Sequence, residues 1–197
     1  MKATIEDGVL YSPYPKVDIP SCSIYAAMSK FLTKQPDQLA VVDQTTQLTR
    51  GEFLSRMKRF AAGFQAHGVG LGDCVCVHVE NSVENLVALF SLTFTGASVL
   101  LSNPVLNERE LLFQVQHSNA THILTTARNA AKVLAVQEKA NVKKLFVVGD
   151  DVAGFTSVSG FVDMNEEDFK DVPIEDPKNC LPPPCSTPLA PRGTPRE

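Results

Sequence analysis

Four short apolar runs, Cys74 to Val79, Val99 to Leu101, His122 to Thr125 and Lys144 to Val148, are separated by stretches that each have room for one helix. Those stretches carry helical periodicity. Asn81-Ser-Val-Glu84 has capping-box spacing and leads into Leu86, Val87, Leu89, Phe90 and Phe94, closing near Gly96. Asn107-Glu-Arg-Glu110 does the same ahead of Leu111, Leu112 and Val115, and Ala127 to Ala140 reads as another helix. Strands that alternate with helices cannot be joined by hairpins, so each connection must cross a face of the sheet. Right-handed crossovers of this kind give a mostly parallel, covered sheet. The predicted fold class is α/β, built of βαβ units.

The grammar begins upstream. Leu39 to Val42 reads as a strand, and Thr49-Arg-Gly-Glu52 has capping-box spacing before Phe53, Met57, Phe60, Ala61 and Phe64, one apolar face of a helix closed by Gly68. Residues 39–148 are thus expected to form one parallel-strand layer. A first helix is expected from Ser23 to about Lys34, stopping before Pro36. Residues 1–20 hold Pro13, Pro15 and Pro20 without periodicity and read as an extended surface arm. Residues 150–178 fit either a linker or a lone edge strand.

Composition narrows the partners. With 197 residues, 44% hydrophobic, the chain can bury one sizeable core. Its net charge of −4, with no basic block beyond Lys143-Lys144, argues against nucleic acid. No apolar run approaches the roughly 20 residues of a membrane helix, and no signal peptide is legible, so a cytoplasmic location is expected. Cys22, Cys74, Cys76, Cys180 and Cys185 are an odd set without a secretory signal and read as reduced. The sequon at Asn119 then carries no meaning.

No residue is assigned a catalytic, cofactor-binding or metal-binding role. Gly68-Val-Gly-Leu-Gly72 follows a helix and leads into a strand, the reverse of a dinucleotide loop, and reads as a helix stop and turn. His67, His78, His117 and His122 share no ligand spacing and are expected at the surface or at helix ends. Glu108 and Glu110 lie on different helix faces, and Glu110 is already engaged as a cap.

The run Leu48-Thr-Arg-Gly-Glu-Phe53, then Gly68-Val-Gly-Leu-Gly-Asp73, Glu80-Asn-Ser-Val-Glu84, Gly96-Ala97, Asn103-Pro104 and Asn107-Glu-Arg-Glu-Leu111 resembles the N-terminal subdomain of the adenylate-forming acyl-CoA synthetases. It is most similar to their 4-coumarate–CoA ligase and luciferase-like branch, whose opening arm resembles Tyr11-Ser-Pro-Tyr-Pro15. The resemblance covers about residues 10–178 and marks 21–178 as a partial AMP-dependent synthetase/ligase domain. It implies a parent enzyme that joins a carboxylic acid to ATP, with magnesium, and passes the acyl group to coenzyme A. Such enzymes are cytoplasmic or peroxisomal. The family's phosphate loop, of the form Y-S-[ST]-G-T-T-G-x-P-K-G, follows a segment like Asp176-Pro-Lys-Asn179 but is missing here, so the chain is expected to bind no cofactor and to be inactive alone. A non-catalytic short product that self-associates or interferes through an uncovered sheet is the alternative.

The proline-rich end, Cys185-Ser-Thr-Pro-Leu-Ala-Pro-Arg-Gly-Thr-Pro-Arg-Glu197, bears on that absence. Joining the third base of each codon to the first two of the next permits L-Y-S-T-G-T-T-G-x-P-K-G. Residues 179–197 are therefore expected to be a disordered, out-of-frame reading of the phosphate-loop segment, a natural proline-rich linker being the alternative.

Overall fold

The computed structural model describes residues 2–15 and 21–173. The expectations for residues 179–197, and for Cys180 and Cys185, fall outside these.

Five parallel strands form the central sheet: β5 (Cys74–His78), β6 (Ser98–Leu101), β7 (His122–Thr126), β8 (Lys144–Val148) and β9 (Thr156–Ser157), in the order β6-β5-β7-β8-β9. Four more strands, β1 (Thr4–Glu6), β2 (Val9–Tyr11), β3 (Leu39–Val42) and β4 (Gln47–Thr49), form two antiparallel hairpins. The helices are α1 (Ile24–Leu32), α2 (Arg50–Ala66), α3 (Val83–Phe94), α4 (Glu108–His117) and α5 (Ala130–Gln137).

Strand alternation sorts the core into two clusters. Val75 and Val77 of β5 join Met57, Phe60 and Phe64 of α2 and Val87 and Leu92 of α3, while Cys74 and Cys76 join Leu111 and Val115 of α4 and Val133 and Val136 of α5. Successive side chains of a strand point to opposite faces, so a run apolar at every position is what a sheet covered on both sides requires. Among the described residues Cys22, Cys74 and Cys76 form no disulfide. Burial lifts the Cys76 thiol to about 12, which leaves it inert.

The helix caps explain the boundaries. Thr49 and Asn107 each form a reciprocal box, with Glu52 and Glu110 respectively, as their spacing predicts. The third box does not form. The cap of α3 is Ser82, which accepts from the Asn85 amide, because the chain enters the helix one residue later than Asn81. Gly68 and Gly72 have φ of +85° and +91°, which makes the glycine run a turn between α2 and β5.

Four further expectations are corrected. The N-terminal arm is a hairpin, β1–β2, turned at Asp7-Gly8 with φ of +51° and +79°; its apolar side chains are exposed, so no periodicity betrays it. Strand β3 lies outside the parallel layer, because the connection Asp43 to Thr46 is too short to cross a sheet and pairs it antiparallel with β4. The helix expected over 127–140 splits into a 3-10 turn, Ala127–Asn129, and α5. His78 and His122 are strand residues only 0% and 2% exposed, whereas His67 and His117 stand at helix ends.

Residues after β8 are integral to the body. Beyond edge strand β9, the 3-10 turn Ser159–Asp163 buries Phe161, and Phe169 stacks edge-on to Tyr25 at 4.8 Å. Gly63, in the middle of α2, makes room for this: a Cβ there would lie 2.4 Å from the Phe161 ring.

Candidate functional site

The strand order reverses around β5. From it the chain passes to β6 on one side, then returns across it to β7 on the other. In open parallel sheets the loops leaving the carboxyl ends of strands part at such a point and open a crevice. Here a cleft of about 630 Å³ lies there, walled by the ends of β5 and β6, by the first turns of α3 and by β3. Its walls are mainly apolar, with Val41, Val79, Leu86, Leu89 and Leu101 among them.

The polar groups of the cleft converge on the turn Glu80 to Asn85. Glu80 accepts from Thr126 Oγ1 at 2.8 Å and from Asn129 Nδ2 at 2.9 Å. Partial burial pushes its carboxyl up, but these hydrogen bonds outweigh that and hold it below the usual range, so it is ionised. The Glu80 carbonyl accepts from Asn85 Nδ2 at 2.7 Å. Asn85 is 6% exposed, and its Oδ1 has no hydrogen-bond partner among the described residues.

Asp43 completes the group. Its Oδ2 accepts from the Val83 amide at 2.7 Å, and its Oδ1 from the Thr45 and Thr46 amides at 2.9 and 2.8 Å. These backbone donors, the Val83 bond foremost, lower its carboxyl to about 2. Val83 is the first residue of α3. The N-terminus of a helix that follows a parallel strand is where a phosphate ordinarily sits, drawn by free amides and the helix dipole. In this chain the seat is filled by Asp43, and no Lys, Arg or His lines the cleft. The lining of this cleft therefore offers no cationic side chain to a phosphate.

Beside the cleft, β5 ends in a buried polar chain. Lys132 Nζ lies 3.1 Å from His78 Nε2 and donates to the Pro104 carbonyl at 3.0 Å, while His78 Nδ1 is 3.1 Å from Ser102 Oγ. An ammonium can only donate, so Nε2 bears the lone pair and Nδ1 the proton. Burial, reinforced by Lys132, lowers His78 to about 4 and keeps it neutral. The chain pins the turn after β6, which forms one rim of the cleft. Among the described residues no cluster of three His, Cys, Asp or Glu could hold a metal ion, and no helix is long and apolar enough to cross a membrane.

Sequence reasoning identified none of these groups. Asp43 and Val83, or His78 and Lys132, stand 40 and 54 positions apart, beyond the reach of any local spacing. One signal was legible: Asp43 two residues before Thr45, at the end of a strand, is an Asx-turn pattern.

The sequence model of the family described as AMP-binding enzyme matches residues 28–185. A luciferin 4-monooxygenase of Photinus pyralis is 27% identical over 157 residues, which are 74% of this chain and 28% of that protein. A long-chain-fatty-acid–CoA ligase of Salmonella typhimurium is 32% identical over 125 residues, 61% of this chain and 22% of that one. In the solved structure of a long-chain-fatty-acid–CoA ligase from Archaeoglobus fulgidus the same fold recurs with a TM-score of 0.75 at 22% identity, over 88% of this chain and 35% of that one. The chain thus spans only between 22% and 35% of the length of these three proteins. With the family matched over most of its length and the parallel sheet of that family in place, this chain belongs to the AMP-binding enzymes.

Proposed function

We propose that these residues form the N-terminal subdomain of an AMP-forming acid–thiol ligase, which converts a carboxylic acid and magnesium–ATP to an acyl-adenylate and pyrophosphate, then transfers the acyl group to coenzyme A. The observation that carries the reading is the family match over residues 28–185. Relatives described as CoA ligases agree with it. On this reading the protein works in the cytoplasm, and the partial domain of residues 21–178 does not supply the reacting groups. The cleft's own anion seat is occupied by Asp43, so the phosphates must be held by other residues. Residues 179–197 are then the phosphate-loop segment read out of frame, and the 197 residues by themselves do not adenylate.

The test compares this chain with one whose gene is shifted by a base between the codons of Lys178 and Leu181. Pyrophosphate exchange into ATP is measured with fatty and aromatic acids. Losing a single preorganised donor to a developing charge costs about 10²–10³ in rate, and the whole loop is at stake, so the chain as given is expected to show no exchange above a heat-inactivated control. The shifted gene should encode the glycine- and lysine-bearing loop and give magnesium-dependent exchange. Exchange by the unshifted chain, or a shifted reading without that loop, would refute the proposal.

A further inference from the structure

The charged side chains that line the cleft at the carboxyl ends of β5 and β6 are both carboxylates. Glu80 and Asp43 are both ionised and both line it, and Asn85 adds a buried Oδ1 without a partner. Lys132 is held by His78 Nε2 and the Pro104 carbonyl, and Arg128, whose charge helps keep Glu80 ionised, stands outside the lining. Each group in the cleft has unused capacity. A carboxylate offers about four lone-pair sites. Glu80 accepts one side-chain bond on each oxygen and a further bond from its own backbone amide, and Asp43 Oδ2 uses one, for the Val83 amide. A buried amide oxygen left without a donor is costly, so Asn85 Oδ1 marks the place where a donor belongs.

The chemistry that answers this set is an N–H-rich cation on an apolar body. We propose that the cleft binds an amphipathic amine, its chain or ring seated between Val41, Leu86, Leu89 and Leu101 and its ammonium donating to Glu80, Asp43 and Asn85 Oδ1. The cleft volume of about 630 Å³ lies inside the roughly 300–1,000 Å³ of small-molecule sites. Carboxylic acids and phosphates are rejected by the same charges, with Asp43 already holding the helix terminus against them. This inference does not rest on the ligase reading: adenylation of an acid elsewhere in a larger protein neither requires nor forbids it.

Isotope-labelled chain at neutral pH, titrated with octylamine, octanoate and pyrophosphate and followed by the backbone amide resonances, provides the test. Octylamine should move Asp43 and residues 80–86 saturably, while octanoate and pyrophosphate leave them in place. Glu80→Gln and Asn85→Leu should each weaken the amine by about tenfold, the loss of one charge-assisted or buried hydrogen bond. The rest of each variant's spectrum reports whether it folds. Independently of any variant, added salt should weaken amine binding to the wild-type chain, since it screens the charges that hold the head group. Equal binding of octanoate, shifts confined to other regions, folded variants that bind as wild type, or salt-insensitive binding would each overturn the proposal.

Discussion

The two ends of the parallel sheet are built on opposite terms. At the carboxyl ends Glu80, Asp43 and Asn85 gather acceptors with capacity to spare around an open cleft. At the amino ends the polar groups are consumed by one another. Thr121 Oγ1 donates to Asp73 Oδ1 at 3.0 Å, accepts from the Cys74 amide at 3.2 Å and meets His122 Nδ1 at 2.8 Å; Lys143 Nζ reaches the same Asp73 oxygen at 3.0 Å. Burial raises the Asp73 carboxyl, but the bonds from Lys143 and Thr121 prevail and keep it low. That network laces the starts of β5, β7 and β8 together, above an edge-to-face cluster of Phe64, Phe146 and Phe161. One end is spent on holding the strands in register. The other is left free for a ligand.

The sharpest way to break the closed end is Phe64→Ala. Phe64 is fully buried, with ring centroids 5.2 Å from Phe146 and 5.3 Å from Phe161. Its truncation should cost about 3–5 kcal/mol in urea denaturation.

Acid should instead find the open end. His78 is held at about 4, against 6.5 for a free histidine, so the folded chain binds fewer protons than the unfolded chain between these values. The stability this neutral ring contributes is fully present above pH 6.5 and is lost as pH falls toward 4, by about 3 kcal/mol over that window. His78→Gln should flatten this slope in a series of urea melts. An unchanged slope would show that His78 is not held neutral.

A smaller effect sharpens the contrast. Thr121→Val keeps the shape but strips the Cys74 amide and His122 Nδ1 of their shared partner. It should cost about 1–3 kcal/mol while leaving amine binding at the other end of the sheet unchanged. A change in that binding would mean the two ends are coupled.

The sequence pattern reached the strands and helix starts more readily than the polar groups of the cleft. Apolar runs at Cys74, Val99, His122 and Lys144 declare strands covered on both faces, and the boxes at Thr49 and Asn107 mark helix starts through bonds within one turn. Such signals are local, and the layers follow from them. What they miss is set by tertiary contact. The seating of Asp43 on α3 depends on a four-residue turn outside the main sheet, and the pairing of His78 depends on a lysine 54 residues downstream. The two-residue strand β9 is too short for periodicity to register, and the open choice between a linker and an edge strand after residue 150 is resolved by side chains that dock far back in the chain.

Gly63 gives that docking a consequence for how the body is assembled. The Phe161 ring fills a notch in α2 that no other side chain of the helix can close, and Gln65 ties the following segment by donating to the Lys170 carbonyl at 2.7 Å and accepting the Lys170 amide at 3.0 Å. During synthesis α2 therefore emerges with a ring-sized vacancy about a hundred residues before the phenylalanine that plugs it. A helix made early in the chain must be among the last to complete its packing.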